Sequence, residues 1–392
     1  MEKFKYLIIG AGMTADAAVR GIRQIDQSGT IGLIGSENDP PYDRPPLSKG
    51  LWKGKPLDKI WRKTEGPGIT LYLGRKIVSL NADELQGRDE QGDTYSGEKL
   101  LLATGGTPRR LPFGEDHVIY YRTLADYRWL RQMCEKGEHF AVIGGGFIGA
   151  EIAAALTMNG KKVTMLLPED GIGARLYPPD LSQFLNDFYR KKGIEVLTGE
   201  LLTGMKTGGS QHTLTTKNGL EIVADGVVAG LGILPNIELA GEAGLKTGNG
   251  IVVDEYLQTS HPAIYAAGDV AEFFNPSLGK RIRVEHEDNA NTMGLQVGRN
   301  MAGANEPYHH LPYFYSDLFE LGYEAVGELD SRLTVVADWE EPYHKGVVYY
   351  MEDKRVRGVL LWNVWEQIQN ARKLIAEPGP FTPQDLKGRI QV

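Results

Sequence analysis

Residues 4–37 read FKYLIIGAGMTADAAVRGIRQIDQSGTIGLIGSE. An apolar run ending at Ile9, a glycine turn, a helix-like stretch from Met13 to about Ile25 and a second apolar run, TIGLIG, spell strand, turn, helix, strand. That order predicts a βαβ unit. The turn Gly10-Ala11-Gly12-Met13-Thr14-Ala15 has the spacing G-x-G-x-x-A. In such a turn the first glycine permits the sharp reversal, the second lets the backbone approach a diphosphate, and the small third residue, here Ala15, allows helix and strand to pack closely. The diphosphate then faces the unpaired N–H groups of the helix N-terminus. Glu37 follows the second strand, 27 residues after Gly10, where an acid accepts hydrogen bonds from ribose hydroxyls.

The same order recurs at 139–168. HFAVIG leads into Gly144-Gly145-Gly146-Phe147-Ile148-Gly149, then the Ala-rich helix AEIAAALTMNG and the strand KKVTMLL. Two such units imply two dinucleotides. The second strand is expected to end at Glu169, 25 residues after Gly144; an acid there favours a free 2'-hydroxyl and repels a 2'-phosphate, so NADH is expected over NADPH, with Arg175 nearby as a counterweight. Residues 69–103 read as a hairpin or meander closing on a buried strand, and 194–232 repeat that texture. The last ~80 residues carry β-rich runs (EAVGELD, LTVVADW, GVVYYMED, RVRGVLLWNV) and one helix-like piece, EQIQNARKLIAE, which suggests a separate antiparallel α+β domain. The expected fold class is therefore α/β, with two Rossmann-like domains and a C-terminal α+β domain.

Composition narrows the function. Lysine and arginine number 43 against 51 acids, a net charge of −8, so there is no overall basic field for nucleic acid. No apolar run reaches 18 residues, so no membrane span is expected. The lone cysteine, Cys134, rules out disulfide exchange within one chain and a zinc site of several thiolates, and no metal site is expected. Cys134 falls on a predicted helix and reads as inert. The opening MEKFKYLIIG enters a strand directly without a targeting pattern, from which a cytoplasmic location is expected.

Beyond the two turns, four stretches carry a resemblance. They are LLLATGGTPRRLP (100–112), GVVAGLGILPNIELA (226–240), TSHPAIYAAGDVAEF (259–273) and Tyr42-Asp43-Arg44-Pro45-Pro46-Leu47-Ser48-Lys49. Together they resemble the two-dinucleotide flavoproteins of glutathione-reductase-like fold, in which an FAD domain is interrupted by an NAD(P)H domain and followed by a small C-terminal domain. The last stretch is similar to the signature of ferredoxin and rubredoxin reductases and of apoptosis-inducing factor. The downstream segments 279–303, 313–331, 345–365 and 370–375 look especially like apoptosis-inducing factor. The resemblance implies an FAD domain over 1–112 and 243–308, an NAD(H) domain over 113–242 and a C-terminal domain over 309–392.

Carried over by residue, the resemblance implies flavin contacts at Thr14, Arg44, Lys49, Arg122, Asp269 and the His286-Glu287 turn, with a backbone contact to adenine at Ile77. On the nicotinamide side it implies Gly145, Gly146, Phe147, Ile148, Gly149, Glu169, Gly232, Glu285 and Asn363, with Phe147 covering the flavin and Glu151 pairing with Lys49. Glu151 is expected in the first turn of its helix, where a carboxylate is favourable in any case. Disulfide-reducing relatives carry a cysteine pair in the proline-rich region; none is present here, so electrons must leave the flavin directly. The implied activity is hydride transfer from NADH to flavin N5, then electron transfer to a ferredoxin- or rubredoxin-like protein. An NADH-responsive binding protein of slow turnover is the alternative, and a flavin monooxygenase a third reading. The family typically has Trp where Tyr315 stands, which leaves stacking on nicotinamide open; the charged residues of the apoptosis-inducing-factor dimer have no clear counterparts around 255–261, which leaves the choice between monomer and homodimer open. The aromatics of 308–314, with Trp362 and Trp365, are expected in the core.

Overall fold

Strand Glu2–Ile9 is exposed at its start and fully buried over its last four residues, because those side chains lie between layers on both faces of a parallel sheet. In the computed structural model, which describes residues 2–392, this strand pairs in parallel with Ile31–Gly35 on one side and Thr94–Leu102 on the other. Ile69–Leu73 extends the sheet in parallel beyond Ile31–Gly35, while Gln86–Asp89 and Ile77–Asn81 continue it antiparallel beyond Thr94–Leu102. The expected meander over 69–103 is therefore half right. Its first run joins the parallel sheet as a half-buried edge strand beside Ile31–Gly35 and does not form a local hairpin.

Three helices position the candidate site residues: α1 (Met13–Ile25), α2 (Phe147–Met158) and α3 (Glu287–Met301). The chain forms two compact units, each built from three segments. The first comprises Met1–Arg44, Pro56–Thr107 and Leu234–Pro312. In it α1 and α3 pack backbone to backbone. A Cβ on Gly298 would lie 2.0 Å from the Ala18 carbonyl oxygen, and one on Gly294 2.6 Å from that of Thr14. Only glycine admits so close an approach. Ile264–Ala266 adds a further parallel strand beside Thr94–Leu102.

The second unit comprises Pro45–Lys55, Pro108–Ile233 and Tyr313–Val392. Its parallel sheet runs Glu195–Thr198, Lys162–Leu167, His139–Ile143, Gly226–Ala229, Val118–Tyr120. An antiparallel sheet of Leu202–Gly208, Gln211–Thr216 and Glu221–Ala224 follows. The C-terminal part is antiparallel in the order Tyr313–Leu318, Leu321–Gly327, Arg355–Trp362, Lys345–Glu352, Thr334–Glu341, with helix Ile368–Ala376 packed on its central strands.

Among the described residues no helix is long and apolar enough to cross a membrane. Tyr308, Phe314 and Trp362 are buried as expected, but Trp365 is 50% exposed. It lies between the end of the last strand and helix Ile368–Ala376, with one edge of its ring against Gly322.

Candidate functional site

In the first unit the turn after strand Glu2–Ile9 is shaped by two glycines used differently. Gly10 takes a φ of +120°, and a Cβ there would lie 2.2 Å from the Ala103 carbonyl oxygen, so the chain can reverse only because no side chain exists. At Gly12 the nearest atom to a Cβ is Arg44 Nη2 at 3.9 Å. That second glycine looks onto open space at the N-terminus of α1, which is what a diphosphate held by backbone N–H groups requires. Ala15 is buried without remainder, and a Cβ on Gly268 would meet Thr14 Oγ1 at 2.3 Å, which draws the Gly268–Val270 turn against α1.

Glu37 stands two residues beyond strand Ile31–Gly35. Its Oε2 accepts from the Tyr42 hydroxyl at 2.6 Å and its Oε1 pairs with the Arg44 guanidinium, which also donates to the Tyr42 oxygen at 3.1 Å. Burial works against the charge on Arg44, but Tyr42, Glu37 and Asp269 outweigh it and hold the guanidinium above its ordinary pKa. Three expected residues, Glu37, Arg44 and Asp269, thus form one electrostatic group. Arg283 joins the remaining ones: its Nη1 pairs with Glu285 at 2.5 Å and donates to the Asp269 carbonyl at 3.0 Å. His286 is the extended N-cap of α3 and Glu287 its first residue, so the expected helix start is found there. Ile77 opens the strand Ile77–Asn81 and is buried.

In the second unit Gly144 has a φ of +99°, and a Cβ there would sit 2.5 Å from the Gly230 carbonyl oxygen, whereas one on Gly146 meets nothing within 4 Å. The division of labour at Gly10 and Gly12 is repeated, and the residues present fit a dinucleotide at both turns. Gly145 lies against Leu167, and Gly149 against the carbonyl of Gly144. Strand Lys162–Leu167 ends two residues before Glu169, not at it, and α2 begins at Phe147, not Ala150. Glu169 pairs with the exposed Arg175 at 2.6 Å. Gly232 takes a φ of +81° and its carbonyl accepts from the Arg109 backbone, while the Arg122 backbone donates to Asp126 in the capping box of the helix that follows.

The longer α2 corrects the placement of Glu151. As the fifth residue it lies beyond the first turn, so the helix dipole does not account for it. It is 3% exposed. Its Oε1 takes the Lys49 ammonium at 2.7 Å and the Ser316 hydroxyl at 2.6 Å, and its Oε2 takes the Ser48 hydroxyl at 2.5 Å. The Lys49 ammonium lies 5.1 Å from the centre of the Tyr315 ring, and Phe147 meets Phe314 edge-on at 5.6 Å. Asn363 makes its hydrogen bonds with other partners. With a φ of +50°, it binds the backbone of Gly322 and His344 and closes the end of the C-terminal sheet.

Sequence reasoning missed Tyr42, Arg283, Ser48 and Ser316. Tyr42 and Ser48 lie inside the quoted proline-rich stretch, but a hydroxyl carries no spacing signal, and Ser316 meets Glu151 across 165 residues of chain. Among the described residues no group of three or more His, Cys, Asp or Glu side chains is disposed to hold a metal ion.

Two glycine turns of this form on parallel sheets, with an acid beyond each second strand, define a protein built to hold two dinucleotides. The pyridine nucleotide-disulphide oxidoreductase model matches residues 4–294, and the C-terminal model of mitochondrion-associated apoptosis-inducing factor matches 297–342 and 337–377. The chain belongs to the pyridine nucleotide-disulphide oxidoreductase family and is an FAD-dependent enzyme using NAD(H). It is 34% identical to apoptosis-inducing factor 1, mitochondrial, of Dictyostelium discoideum, over 96% of this chain and 79% of that one. It is 32% identical to the ferredoxin–NAD(+) reductase component of the anthranilate 1,2-dioxygenase system of Burkholderia cepacia, over 98% and 97%. Among solved structures it is similar to a covalent putidaredoxin reductase–putidaredoxin complex, with a TM-score of 0.89 and 29% identity over 98% of this chain and 95% of that one.

Proposed function

We propose that this chain is a cytoplasmic NADH-dependent reductase of a ferredoxin- or rubredoxin-like protein, with FAD held by 1–112 and 243–308, NAD(H) by 113–242, and 309–392 as the C-terminal domain. The observation that carries the reading is the single cysteine, Cys134: without a dithiol the chain has no internal disulfide to reduce, so electrons go to an outside acceptor. Bound FAD supplies acceptance of a hydride from NADH and release of its two electrons singly.

The chain's own residues orient and stabilise. Gly12 and the start of α1 hold the diphosphate of FAD, Glu37 its ribose, and Asp269 its ribityl chain. Gly146 and the start of α2 hold the diphosphate of NADH, with Glu169 at the adenine ribose. Phe147 and Tyr315 would border the nicotinamide; Arg44 and the N-terminus of α3 in the first unit would favour negative charge on the flavin, as would the Lys49 ammonium of the second. The Glu169–Arg175 pair at 2.6 Å supports NADH, because the acid engages the arginine that would otherwise be offered to a 2'-phosphate.

The test is an anaerobic NADH titration of the purified protein followed by visible absorbance, then addition of ferredoxin, rubredoxin, quinone or air. Prompt bleaching and rapid reoxidation by one of the two iron–sulfur or iron proteins is expected. Reoxidation by air or quinone alone overturns the proposed partner. The match of residues 297–377 to the apoptosis-inducing-factor model supports a second reading, an NADH-responsive binding protein of slow turnover. Its mark is a long-lived charge-transfer band that no acceptor discharges, with an NADH-dependent change in size-exclusion profile.

A further inference from the structure

We infer that Ser316 and Ser48 are positioning residues of the reaction: they fix the carboxylate of Glu151, and through it the point in space at which the Lys49 ammonium stands. The inference rests on the proposed role of Lys49 toward the reduced flavin.

The four residues come from three separate stretches of the second unit. Ser48 and Lys49 lie in the proline-rich stretch, Glu151 on α2 and Ser316 on strand Tyr313–Leu318. Glu151 and Ser316 are 3% and 1% exposed, so little water is available to solvate the carboxylate. A buried carboxylate needs partners for both oxygens. Lys49 pairs with one of them, Oε1, at 2.7 Å. The serines complete the set, Ser316 on the oxygen that Lys49 already holds and Ser48 on the other, at 2.6 and 2.5 Å.

The need for them follows from the chemistry of the pair. A lysine is a point charge on a four-carbon stem with three rotatable donors, so one contact to a carboxylate leaves its ammonium free to swing. A glutamate pinned at one oxygen can likewise rotate about that bond. With both oxygens pinned from different elements, the carboxylate plane is set and Oε1 has one place to be. Lys49 then points to one place as well. Electrostatic stabilisation of developing charge falls off when a donor is misplaced by even about an ångström. Ser316 therefore acts at one remove, from the edge strand of the C-terminal sheet.

The test compares S316A, S48A, S316T and K49M as FAD-loaded proteins. Two readouts are taken for each: the limiting rate of anaerobic flavin reduction separated from the apparent NADH Kd by stopped flow, and the midpoint potential of the bound flavin measured without NADH. We expect S316A to lower the limiting rate about tenfold, the effect of losing one charge-assisted hydrogen bond. Its NADH Kd should be unchanged, and its flavin potential should shift in the direction of K49M by a smaller amount. S48A should behave alike, and S316T, which keeps the hydroxyl, should restore both readouts. If K49M is slow while S316A matches wild type in rate and potential, the inference fails and the role of Lys49 stands. Wild-type behaviour of both variants overturns the inference and the role of Lys49 together. A slow S316A beside a normal K49M also overturns it, because the serine would then act by another route.

Discussion

Cys134 ends the helix Leu124–Cys134, and burial pushes its thiol up to about 11, with Lys161 and Arg131 too weak to bring it back. At about pH 8 the thiolate fraction is then more than about a hundredfold below that of an exposed thiol. Iodoacetamide or a disulfide reagent should label native Cys134 slower by that factor, and labelling at the rate of the denatured protein would refute the burial argument. The Glu37 group makes a second prediction at this scale. Its carboxylate is already oriented by Tyr42 and Arg44, so Glu37→Ala removes an acceptor that has no rotamer left to search. FAD affinity should fall at least roughly tenfold, read from the fluorescence of released flavin, while a change under about twofold removes Glu37 from the site. The sequence shows Glu37 and Arg44 as candidates but not their pairing, because the motif containing Arg44 carries no mark of what its guanidinium touches.

Between elements, the closest contact in the first unit is that of α1 with α3, which depends on Gly298 facing Ala18 and Gly294 facing Thr14. Gly298→Ala should destabilise the unit by about 1–3 kcal/mol, the usual cost of overpacking, because the clash is with a backbone carbonyl that has no rotamer to yield. Urea unfolding checks this, and an unchanged midpoint would mean that the helices separate without cost. This contact was out of reach of a sequence reading. A helical glycine looks locally like a weak point, and only a second helix 280 residues away explains it. Within one element, by contrast, the sequence was legible. The expected helix over Met13–Ile25 is found with those bounds, since its caps, apolar spacing and turn lie in consecutive residues.

For the molecule as a whole, the second unit contains two histidines whose burial holds them below the ordinary imidazole value. For His139 the neighbouring Lys162 adds to the effect of burial, and for His212 the neighbouring His117 does. A histidine lowered in the folded state is stabilising in its neutral form. That stability is complete above the unfolded value of about 6.5 and is lost as pH falls through the lower folded value. Thermal melting should therefore drop as pH falls below about 6.5, and the double variant H139Q/H212Q should flatten that slope. A slope unchanged in the variant would assign the acid loss to other groups. The two units each gather three separated chain segments, and pairings of such sequence distance slow folding. Where the units divide is not visible in composition, because no low-complexity segment or Gly/Ser linker marks the crossings at residues 44–45, 55–56, 107–108, 233–234 and 312–313.

Local order was written in the chain itself. The two strand–turn–helix–strand units, the dinucleotide chemistry of their glycine turns, the acids that follow and the absence of a thiol pair can all be read from residues adjacent in sequence, because each depends on backbone geometry within one turn. The Lys49–Glu151 pair was implied by the family resemblance, but the other partners of these charges were settled only by the tertiary structure: Glu151 against Ser48 and Ser316, Glu37 against Tyr42 and Arg44, Arg283 against Glu285 and the Asp269 carbonyl. A charge removed from water must find its partner in space. Nothing in the spacing of residues along the chain says which element will bring it.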